Sequence, residues 1–493
     1  MTQFALYEMP KKECRRVAIS VPIPKWLPPS LALWLRQRMA ERPEGKLTVA
    51  TRFSNGERAA MKRRRPVPIS AWAEKHRVLE MSAIRGRWRN VFTPYLTGIM
   101  DVSGLPGIET VIICKSPQTG GSECGHNIVG YCIDRLPGPV MYVFPDELTA
   151  RENAKDRIIP MIEASPRLRQ YMTGYGDDAS SLRINLLHMP IYLGWSGSVS
   201  RLGNKPIRIL ILDELDKYKN PKNEASSESL AEKRTTTWRT RRKVVKISTP
   251  TTEDGPIWKA LTEEAGARFD FWVRCPHCGF FQHMDFERIA WPGKDEEKSP
   301  DAETVLAKRL AYYACEHCGA VWDDGDRDRA VRGGEWRDRV SGLELMAHAT
   351  VHRPVKVGFH IPAWLSYFVS LSEVAHAWLK YKESGKLDDL KNFRNQYAAE
   401  PWVESHAARS EDAILALCDD RPRGKVPGPV DGKERVSVLL ATVDTQQHYF
   451  RYVIRAYGYG ETEESWLVAS GSADNLAALE EILFGSVYAD PDG

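Results

Sequence analysis

The residues best suited to chemistry lie in a glycine-bearing loop at positions 115–122, which reads KSPQTGGS. An apolar run at 111–114 precedes the loop and predicts a buried strand, and an apolar helical pattern follows at 127–133. A strand, a tight loop and a helix in this order present backbone N–H groups to an anion, as phosphate-binding loops do. The pattern predicts a nucleotide site, and an ordinary loop of the same composition is the alternative.

The lysine of this loop stands at its start. The common pattern is GxxxxGK(S/T), but here Lys115 replaces the first glycine and Gly121 replaces the lysine. Both ends of such a loop lie close to the phosphates, so we expect Lys115 to reach the β- and γ-oxygens. Ser122 has the hydroxyl that ligates Mg²⁺ at this position. The predicted nucleotide-binding residues of the loop are Lys115, Ser116, Pro117, Gln118, Thr119, Gly120, Gly121, Ser122 and Glu123.

Two adjacent acids follow a second apolar run. Residues 207–212 predict a buried parallel strand that ends at Asp213 and Glu214. We expect Asp213 to hold Mg²⁺ through water and Glu214 to polarise the attacking water. The alternative is a strand that ends in a solvated acidic turn. A third strand, 244–247, ends in the polar residues of a candidate coupling segment, where helicase-like ATPases sense hydrolysis: Ser248, Thr249, Pro250 and Thr251.

Nine cysteines, four of them in two CxxCG motifs, point to a metal more than to disulfides. A single CxxC is often a redox pair, but two copies predict a closed tetrahedral Zn²⁺ site with a structural role. The expected ligands are Cys275, Cys278, Cys315 and Cys318. His277 and His317 are not expected to be ligands, because four sulfurs complete the site.

The order of these motifs resembles that of lambda-like (gpA-type) large subunits of tailed-phage terminases, over residues 66–493. The segments that carry the resemblance read KSPQTGGSE, ILILDELDKY, STPT, CPHCG, CEHCG, GFHIPAWLS, FRNQYAAEPWVE and ATVDTQ. The resemblance implies an α/β fold with a P-loop motor ATPase domain of the ASCE type, a zinc ribbon and a ribonuclease-H-like nuclease domain. It further implies an ATP-driven motor that moves double-stranded DNA into a capsid and a nuclease that cuts concatemers.

The resemblance also bears on single residues. An apolar strand at 436–443 ends at Asp444, which alone reads as a turn residue and in this family would be the first Mg²⁺ or Mn²⁺ ligand of the nuclease. No later acid ends an apolar run, so we expect an incomplete nuclease domain that does not cut DNA. Tyr95 lies in an aromatic, basic segment that packs beside the nucleotide in the family. It would either stack on adenine or belong to the core.

The family implies several partners: double-stranded DNA, a terminase small subunit, the capsid portal and further copies of the chain in a ring. It also implies action in the host cytoplasm. The basic run 62–65 is either a solvated linker or a contact with DNA phosphates or the small subunit. The arginines around Trp238 are solvated, contact DNA phosphates or reach the γ-phosphate of a neighbouring subunit. Two rivals remain open. One is a zinc-ribbon DNA-binding or assembly protein with a decayed nucleotide site, and the other is a different nucleic-acid-dependent ATPase such as a helicase.

A chain of 493 residues is expected to form more than one domain, and the predicted strands and helices that position these residues are divided among them. Its 42% hydrophobic and 27% charged residues are typical of a globular protein, and its net charge of +4 leaves any DNA surface to local patches. No apolar run is long enough to predict a membrane span. The expected divisions are a basic segment 1–65, an ATPase domain 66–255, a zinc ribbon 256–340, a connector 341–430 and the start of a nuclease domain 431–493.

Overall fold

The structure is a computed structural model that describes residues 29–40, 67–80, 82, 84–222, 224–294, 300–403, 418, 420–429, 435–446, 449–459 and 464–489. The basic run 62–65 lies outside these residues. The chain divides into two compact units, Met1–Val403 and Glu404–Gly493. Among the described residues, no helix combines the length and the apolar character needed to cross a membrane.

The first unit is built on one large sheet with small hairpins beside it. Its strands are β1 (Val78–Leu79), β2 (Gly86–Arg87), β3 (Thr110–Lys115), β4 (Val140–Phe144), β5 (Ala179–Ser180), β6 (Arg183–Asn185), β7 (Pro190–Trp195), β8 (Ile209–Asp213), β9 (Lys243–Ser248), β10 (Ala267–Arg274), β11 (Phe281–His283), β12 (Ile289–Ala290), β13 (Tyr312–Ala314), β14 (Val321–Trp322), β15 (Glu335–Asp338) and β16 (Lys356–Ile361).

The large sheet has the order β11-β10-β16-β3-β9-β8-β4-β7-β6-β5, and β15 also pairs with β10. Strands β16, β3, β9, β8, β4 and β7 are mutually parallel. One strand, β9, separates the loop strand β3 from the acidic strand β8, which is the arrangement expected of the ASCE type. Parallel strands end at one edge of the sheet, so the ends of β3, β8 and β9 lie side by side. The predicted α/β fold class is confirmed.

The sheet extends beyond residue 255, where the sequence predicts the ATPase domain to end. Strand β10 starts at Ala267, and β16, from the expected connector, pairs along its length with β3. A short strand such as β16 takes its place in the sheet from neighbours that are distant in sequence, so its own pattern does not reveal it. The cysteine-bearing hairpins, with the small sheet β12-β13-β14, are an excursion between β10 and β15.

Helices cover the faces of the sheet and bury its apolar strands. The α-helices of the first unit are α1 (Pro29–Ala40), α2 (Ile69–His76), α3 (Tyr95–Ser103), α4 (Gly121–Arg135), α5 (Glu147–Asn153), α6 (Ile159–Ala164), α7 (Pro166–Arg169), α8 (Val199–Gly203), α9 (Ser227–Lys233), α10 (Pro256–Lys259), α11 (Ala302–Ala307), α12 (Asp324–Arg332), α13 (Leu345–Val351), α14 (Leu371–Ser384) and α15 (Leu387–Asn392). Single π-helical turns follow three of them at Ala154–Ile158, Ala260–Glu264 and Phe393–Ala398. Helix α4 and strands β3, β4 and β8 contribute wholly buried residues to the core.

The second unit contains an antiparallel sheet of β17 (Val436–Thr445), β18 (Phe450–Gly458) and β19 (Ser465–Ala473). Helix α16 (Leu476–Glu480) follows, and a π-helical turn, Glu481–Gly485, extends it. A small core forms around Ile454 and Val468. Strand β17 is the outer strand of this described sheet, and nearly all of its residues are exposed.

Candidate active site

The predicted phosphate loop joins β3 to α4 in a turn with two left-handed residues. Gln118 has φ 58° and Gly120 has φ 79°. A residue with a side chain pays of order 1 kcal/mol or more in this region, so Gln118 must be held there. Ser366 holds it by donating from its hydroxyl to the Gln118 carbonyl at 3.0 Å. The hydroxyl of Thr119 donates to the Ser116 carbonyl at 2.7 Å and closes the turn from inside.

The displaced lysine and the glycine that replaces it are in contact. The buried side chain of Lys115 lies over the first turn of α4, and a Cβ atom on Gly121 would come within 2.5 Å of its Cδ and 2.8 Å of its Cε. A side chain at position 121 would therefore displace Lys115. The two departures from the common loop pattern form one arrangement, in which the lysine approaches the helix N-terminus from the strand side.

The two predicted acids lie opposite the loop, at the end of β8. Asp213 is buried and accepts hydrogen bonds from the Tyr142 hydroxyl at 3.0 Å and from the Glu214 N–H at 3.1 Å. Burial raises the pKa of Asp213, and Lys115 offsets this only in part. The Ser122 hydroxyl and a carboxylate that carries a burial cost are a donor set suited to Mg²⁺, which takes oxygen ligands.

Glu214 follows in the left-handed conformation, with φ 54°. Its Oε1 lies 3.4 Å from Lys115 Nζ and its Oε2 lies 2.9 Å from Lys217 Nζ. Burial alone would raise the pKa of Glu214, but the two lysines outweigh burial and leave that pKa below its usual value. Glu214 is therefore ionised at neutral pH and faces the loop.

A cavity of about 900 Å³ opens over the loop. Its lining includes the predicted residues Lys115, Pro117, Gln118, Gly120, Gly121, Ser122, Glu123 and Glu214. Ser116 and Thr119 are fully buried beneath the turn, where their side chains stabilise it. The volume and the charged lining suit a nucleoside triphosphate, which is larger than a single phosphate group.

Glu123 brings a negative charge to this cavity and is surrounded by basic groups. Arg77 lies 2.8 Å from its Oε2, and His126 Nδ1 and an Arg157 nitrogen lie 3.6 and 3.9 Å from its Oε1. Burial opposes ionisation, yet His126 and the two arginines lower the pKa of Glu123 to about 2. The acid is thereby neutralised locally, so that it does not repel an anion in the same cavity.

The predicted coupling segment leaves the end of β9 and is buried at Ser248 and Thr249. Thr251 donates from its N–H and its hydroxyl to Asp216 Oδ2, at 2.8 and 2.9 Å. The segment therefore contacts the loop after the two acids. Asp216 is a residue that the sequence reasoning missed, and its only signal is its place two residues after Glu214.

The four cysteines come together as predicted. Cys275 Sγ lies 3.9 Å from Cys318 Sγ, Cys278 Sγ lies 3.9 Å from Cys315 Sγ, and all four sulfurs lie within 4.8 Å of one another. Tetrahedral Zn²⁺ with bonds of about 2.3 Å needs sulfurs about 3.8 Å apart, so this set fits the ion.

Each cysteine pair brackets a tight turn, and both turns rely on glycine. Gly279 (φ 72°) and Gly319 (φ 69°) donate their N–H groups to the carbonyls of Cys275 and Cys315. The two histidines of the motifs have other neighbours. His317 stacks on Phe280, and His277 lies 3.6 Å from Asp326.

Comparison with known proteins agrees with this geometry. The protein-family model described as phage terminase large subunit gpA, ATPase domain, matches residues 82–336, which is more than half of the chain. The chain belongs to the gpA family of phage terminase large subunits. The model of the terminase large subunit gpA endonuclease domain matches residues 356–483, and its first part includes β16 of the large sheet.

Two relatives are themselves terminase large subunits. That of Enterobacteria phage P21 is 25% identical over 424 residues, and that of Escherichia phage lambda is 26% identical over 425 residues. Each alignment covers 82% of this chain and 62% of the relative. Among solved structures, the HK97 bacteriophage large terminase is 12% identical with a TM-score of 0.38, over 84% of this chain and 69% of that one.

Within the terminase chain, the nuclease candidate Asp444 lies near the end of β17. It is exposed, and its Oδ2 accepts a hydrogen bond of 2.5 Å from Gln446 Nε2. Among the residues that the structure describes, no two further His, Cys, Asp or Glu side chains lie close enough to complete a metal site with it. The structure therefore locates Asp444 near a strand end, as expected.

The aromatic, basic segment before α3 divides between cavity and core. Trp88 and Phe92 line the cavity, together with Arg85, Arg87 and Arg89. Tyr95 is fully buried, and its hydroxyl donates to the Thr119 carbonyl at 3.0 Å. Of the two roles expected for Tyr95, the structure excludes adenine stacking, because no face of the ring is open. The sequence reasoning missed these three arginines as cavity residues, although their clustering around Trp88 is a signal in the sequence.

Proposed function

We propose that this chain acts as the large subunit of a DNA-packaging terminase, in which ATP hydrolysis drives double-stranded DNA into a capsid. The chain spans 62% of the length of its two relatives, so this activity rests on the site as well as on the family. The observation that carries the proposal is the contact between Lys115 and Glu214, 3.4 Å apart, in a cavity that Ser122 also lines and beside the buried Asp213. These are the groups that phosphoryl transfer to water requires.

Each group has a distinct role in the proposed reaction. The loop amides and Lys115 bind the β- and γ-phosphates. Ser122 and Asp213 would hold Mg²⁺, which neutralises phosphate charge when bound. Glu214 accepts a proton from water as the water oxygen bonds to the γ-phosphorus, and the bond from that phosphorus to the bridging oxygen breaks to release ADP.

Contact between Lys115 and Glu214 also suggests how the base is made available. The γ-phosphate carries more negative charge than a carboxylate, so an incoming nucleotide would compete for Lys115. Loss of that contact leaves one Glu214 oxygen open to water. The rival proposal of a decayed nucleotide site is disfavoured, because the packing of Lys115 over Gly121 gives the unusual loop a lysine in reach of the phosphates.

Phosphate release measured with and without linear duplex DNA tests the proposal. The wild-type chain should hydrolyse ATP faster with DNA, and Glu214→Gln should be at least about a hundredfold slower while it still binds ATP, because it lacks the general base. Glu147→Gln, in an exposed ion pair with Arg151, is the matched control and should behave as wild type. A wild-type chain that releases no phosphate contradicts the proposal.

We also propose the finer assignments that belong to this function. One Zn²⁺ is bound by the four cysteines and stabilises the excursion between β10 and β15. The ATPase unit extends to residue 403, with the ribbon inserted in it. The partners are double-stranded DNA, a small subunit, the capsid portal and other copies of the chain in a ring, in the host cytoplasm.

Endonuclease activity is a separate proposal that rests on the match of residues 356–483 and on Asp444. Two-metal nuclease chemistry needs more than one carboxylate, and among the described residues no group of three metal-binding side chains includes Asp444. We therefore expect the chain not to cut plasmid DNA with Mn²⁺. Cleavage that disappears in Asp444→Ala would contradict this and would identify Asp444 as a ligand of a complete site.

A further inference from the structure

Asp216 joins the loop after the catalytic acids to the segment that leaves β9. Its Oδ2 accepts hydrogen bonds from the Thr251 N–H at 2.8 Å and the Thr251 hydroxyl at 2.9 Å, and its Oδ1 accepts from the Ile257 N–H at 2.8 Å. Its own N–H donates to the Ser248 hydroxyl at 3.1 Å. Four hydrogen bonds thus connect one residue to a part of the chain more than thirty positions away.

Close packing of the backbone also restricts the Asp216 carboxylate. A Cβ atom on Gly255 would lie 2.5 Å from Asp216 Oδ2 and 2.9 Å from the Thr252 carbonyl oxygen. The backbone of residues 251–257 therefore wraps closely around the carboxylate, and position 255 has no room for a side chain. Such a fit fixes both the location and the rotation of the Asp216 side chain.

The fixed position of Asp216 matters because Glu214, two residues earlier, has an unfavourable backbone conformation. The left-handed φ of 54° seen at Glu214 is strained for any residue with a side chain. Residues Leu215–Lys217, which follow Glu214, form a single turn of 3-10 helix. The bonds of Asp216 anchor this turn from its far side, and Glu214 is then directed at Lys115.

We propose that Asp216 is a positioning residue that sets the orientation of Glu214 relative to segment 248–251. The inference rests on the proposed ATPase function. The same segment is held on its other side, where the Thr251 carbonyl accepts hydrogen bonds from Asn395 Nδ2 at 3.1 Å and from the Trp402 N–H at 2.8 Å. Thr251 thus contacts Asp216 on one side and residues 395 and 402 on the other.

Steady-state ATPase kinetics of the full chain test the proposal. In Asp216→Asn the amide offers one oxygen in place of two and sets an N–H group against a backbone N–H. The kcat should fall at least about tenfold, while KM and the Kd of a fluorescent N-methylanthraniloyl ATP stay within about twofold. Thr251→Val removes one of the three accepted bonds and should lower kcat by about threefold. Asp216→Glu, which keeps both oxygens, should recover part of the loss.

A control separates positioning from general stability. Asp338 accepts from the Ser341 N–H, the Ser341 hydroxyl and the Val340 N–H in a turn that does not line the cavity. Asp338→Asn should lower the unfolding temperature without changing kcat. The proposal is refuted if Asp216→Asn and Thr251→Val keep the wild-type kcat, or if KM changes as much as kcat, although the ATPase function then stands. A wild-type chain without ATPase activity removes the proposed function and this inference with it.

Discussion

The nucleotide site and the four-cysteine cluster are built in opposite ways. The cysteines come in two pairs, each within one tight turn, and their four sulfurs converge within 4.8 Å of one another. The nucleotide site takes Lys115 from the end of β3, Asp213 and Glu214 from the end of β8, and Thr251 from beyond β9. Lys115 and Glu214 line an open cavity, and Glu214 contacts two lysines there.

The difference distinguishes a structural metal site from a catalytic site. A closed set of four sulfurs has no open position for a substrate, so a metal there stabilises the fold. An open set of opposed charges can rearrange when an anion enters. The comparison therefore predicts that changes at Lys115 and Gly121 alter rate and leave the fold intact, whereas changes in the cysteine cluster alter stability and leave the nucleotide chemistry intact.

The largest expected effect comes from Lys115→Ala. No other lysine belongs to the loop, so hydrolysis should fall by about 10²–10³-fold or below detection, which corresponds to about 3–4 kcal/mol of lost transition-state stabilisation. Phosphate release under saturating ATP measures it, with an unfolding temperature close to that of the wild type. If Lys115→Ala hydrolyses ATP at the wild-type rate, the loop is wrongly placed and the comparison fails on its catalytic side.

Cys278→Ser should show the reverse pattern. Loss of one of four zinc ligands should cost roughly 3 kcal/mol of stability and lower the unfolding temperature by several degrees, with residual ATPase activity at temperatures below the transition. Elemental analysis should find one zinc per wild-type chain and less in the variant. Cys418→Ser, an exposed cysteine outside the cluster, is the control. Reduced, freshly purified protein that contains no metal would contradict the prediction.

Glu123→Gln sharpens the comparison through its pH dependence. The pKa of Glu123 is lowered to about 2, so its ionised form adds stability that is complete above the ordinary pKa of about 4.5 and declines as the pH falls toward 2. At pH 7 the substitution should cost on the order of 2 kcal/mol in the free energy of unfolding, and at pH 3.5 distinctly less. Denaturant titrations at both values measure the difference.

Glu147→Gln is the control for that series, because Glu147 forms an exposed pair with Arg151 that is worth less than about 1 kcal/mol. A cost of Glu123→Gln that is equal at pH 7 and pH 3.5 would mean that its charge does not contribute, and the basic groups around Glu123 would then have another purpose.

The smallest expected effect is that of Gly121→Ala. The new Cβ would press on Cδ and Cε of Lys115 and force its flexible side chain off a preferred rotamer, which costs about 1 kcal/mol. We expect ATP hydrolysis to slow by about fivefold to tenfold. Gly203→Ala, at a helical position with open space around it, is the matched control. An unchanged rate in Gly121→Ala would show that Lys115 has another route to the phosphates.

Local pattern was enough to predict much of this molecule. Apolar runs that end in chemistry-bearing residues are read directly as buried strands, and the strands that end at Lys115, Asp213 and Ser248 are all present. The two CxxCG motifs bring their own turns, because cysteine spacing and a left-handed glycine settle the conformation within five residues. The α/β class follows from the same observations.

Three features depended on contacts between distant parts of the chain. Strand β16 pairs with β3 through contacts between distant parts of the chain, and the pattern of its six residues does not predict that pairing. Tyr95 belongs to the core because the loop turn lies above it, and the same aromatic residue could equally have faced the cavity. Asp216 gains its role from Thr251 and Ile257, which approach it only after β8 and β9 pair in parallel register. Residue type and short-range spacing specify which groups can do chemistry, whereas the sheet brings strand ends together and so determines which of those groups meet.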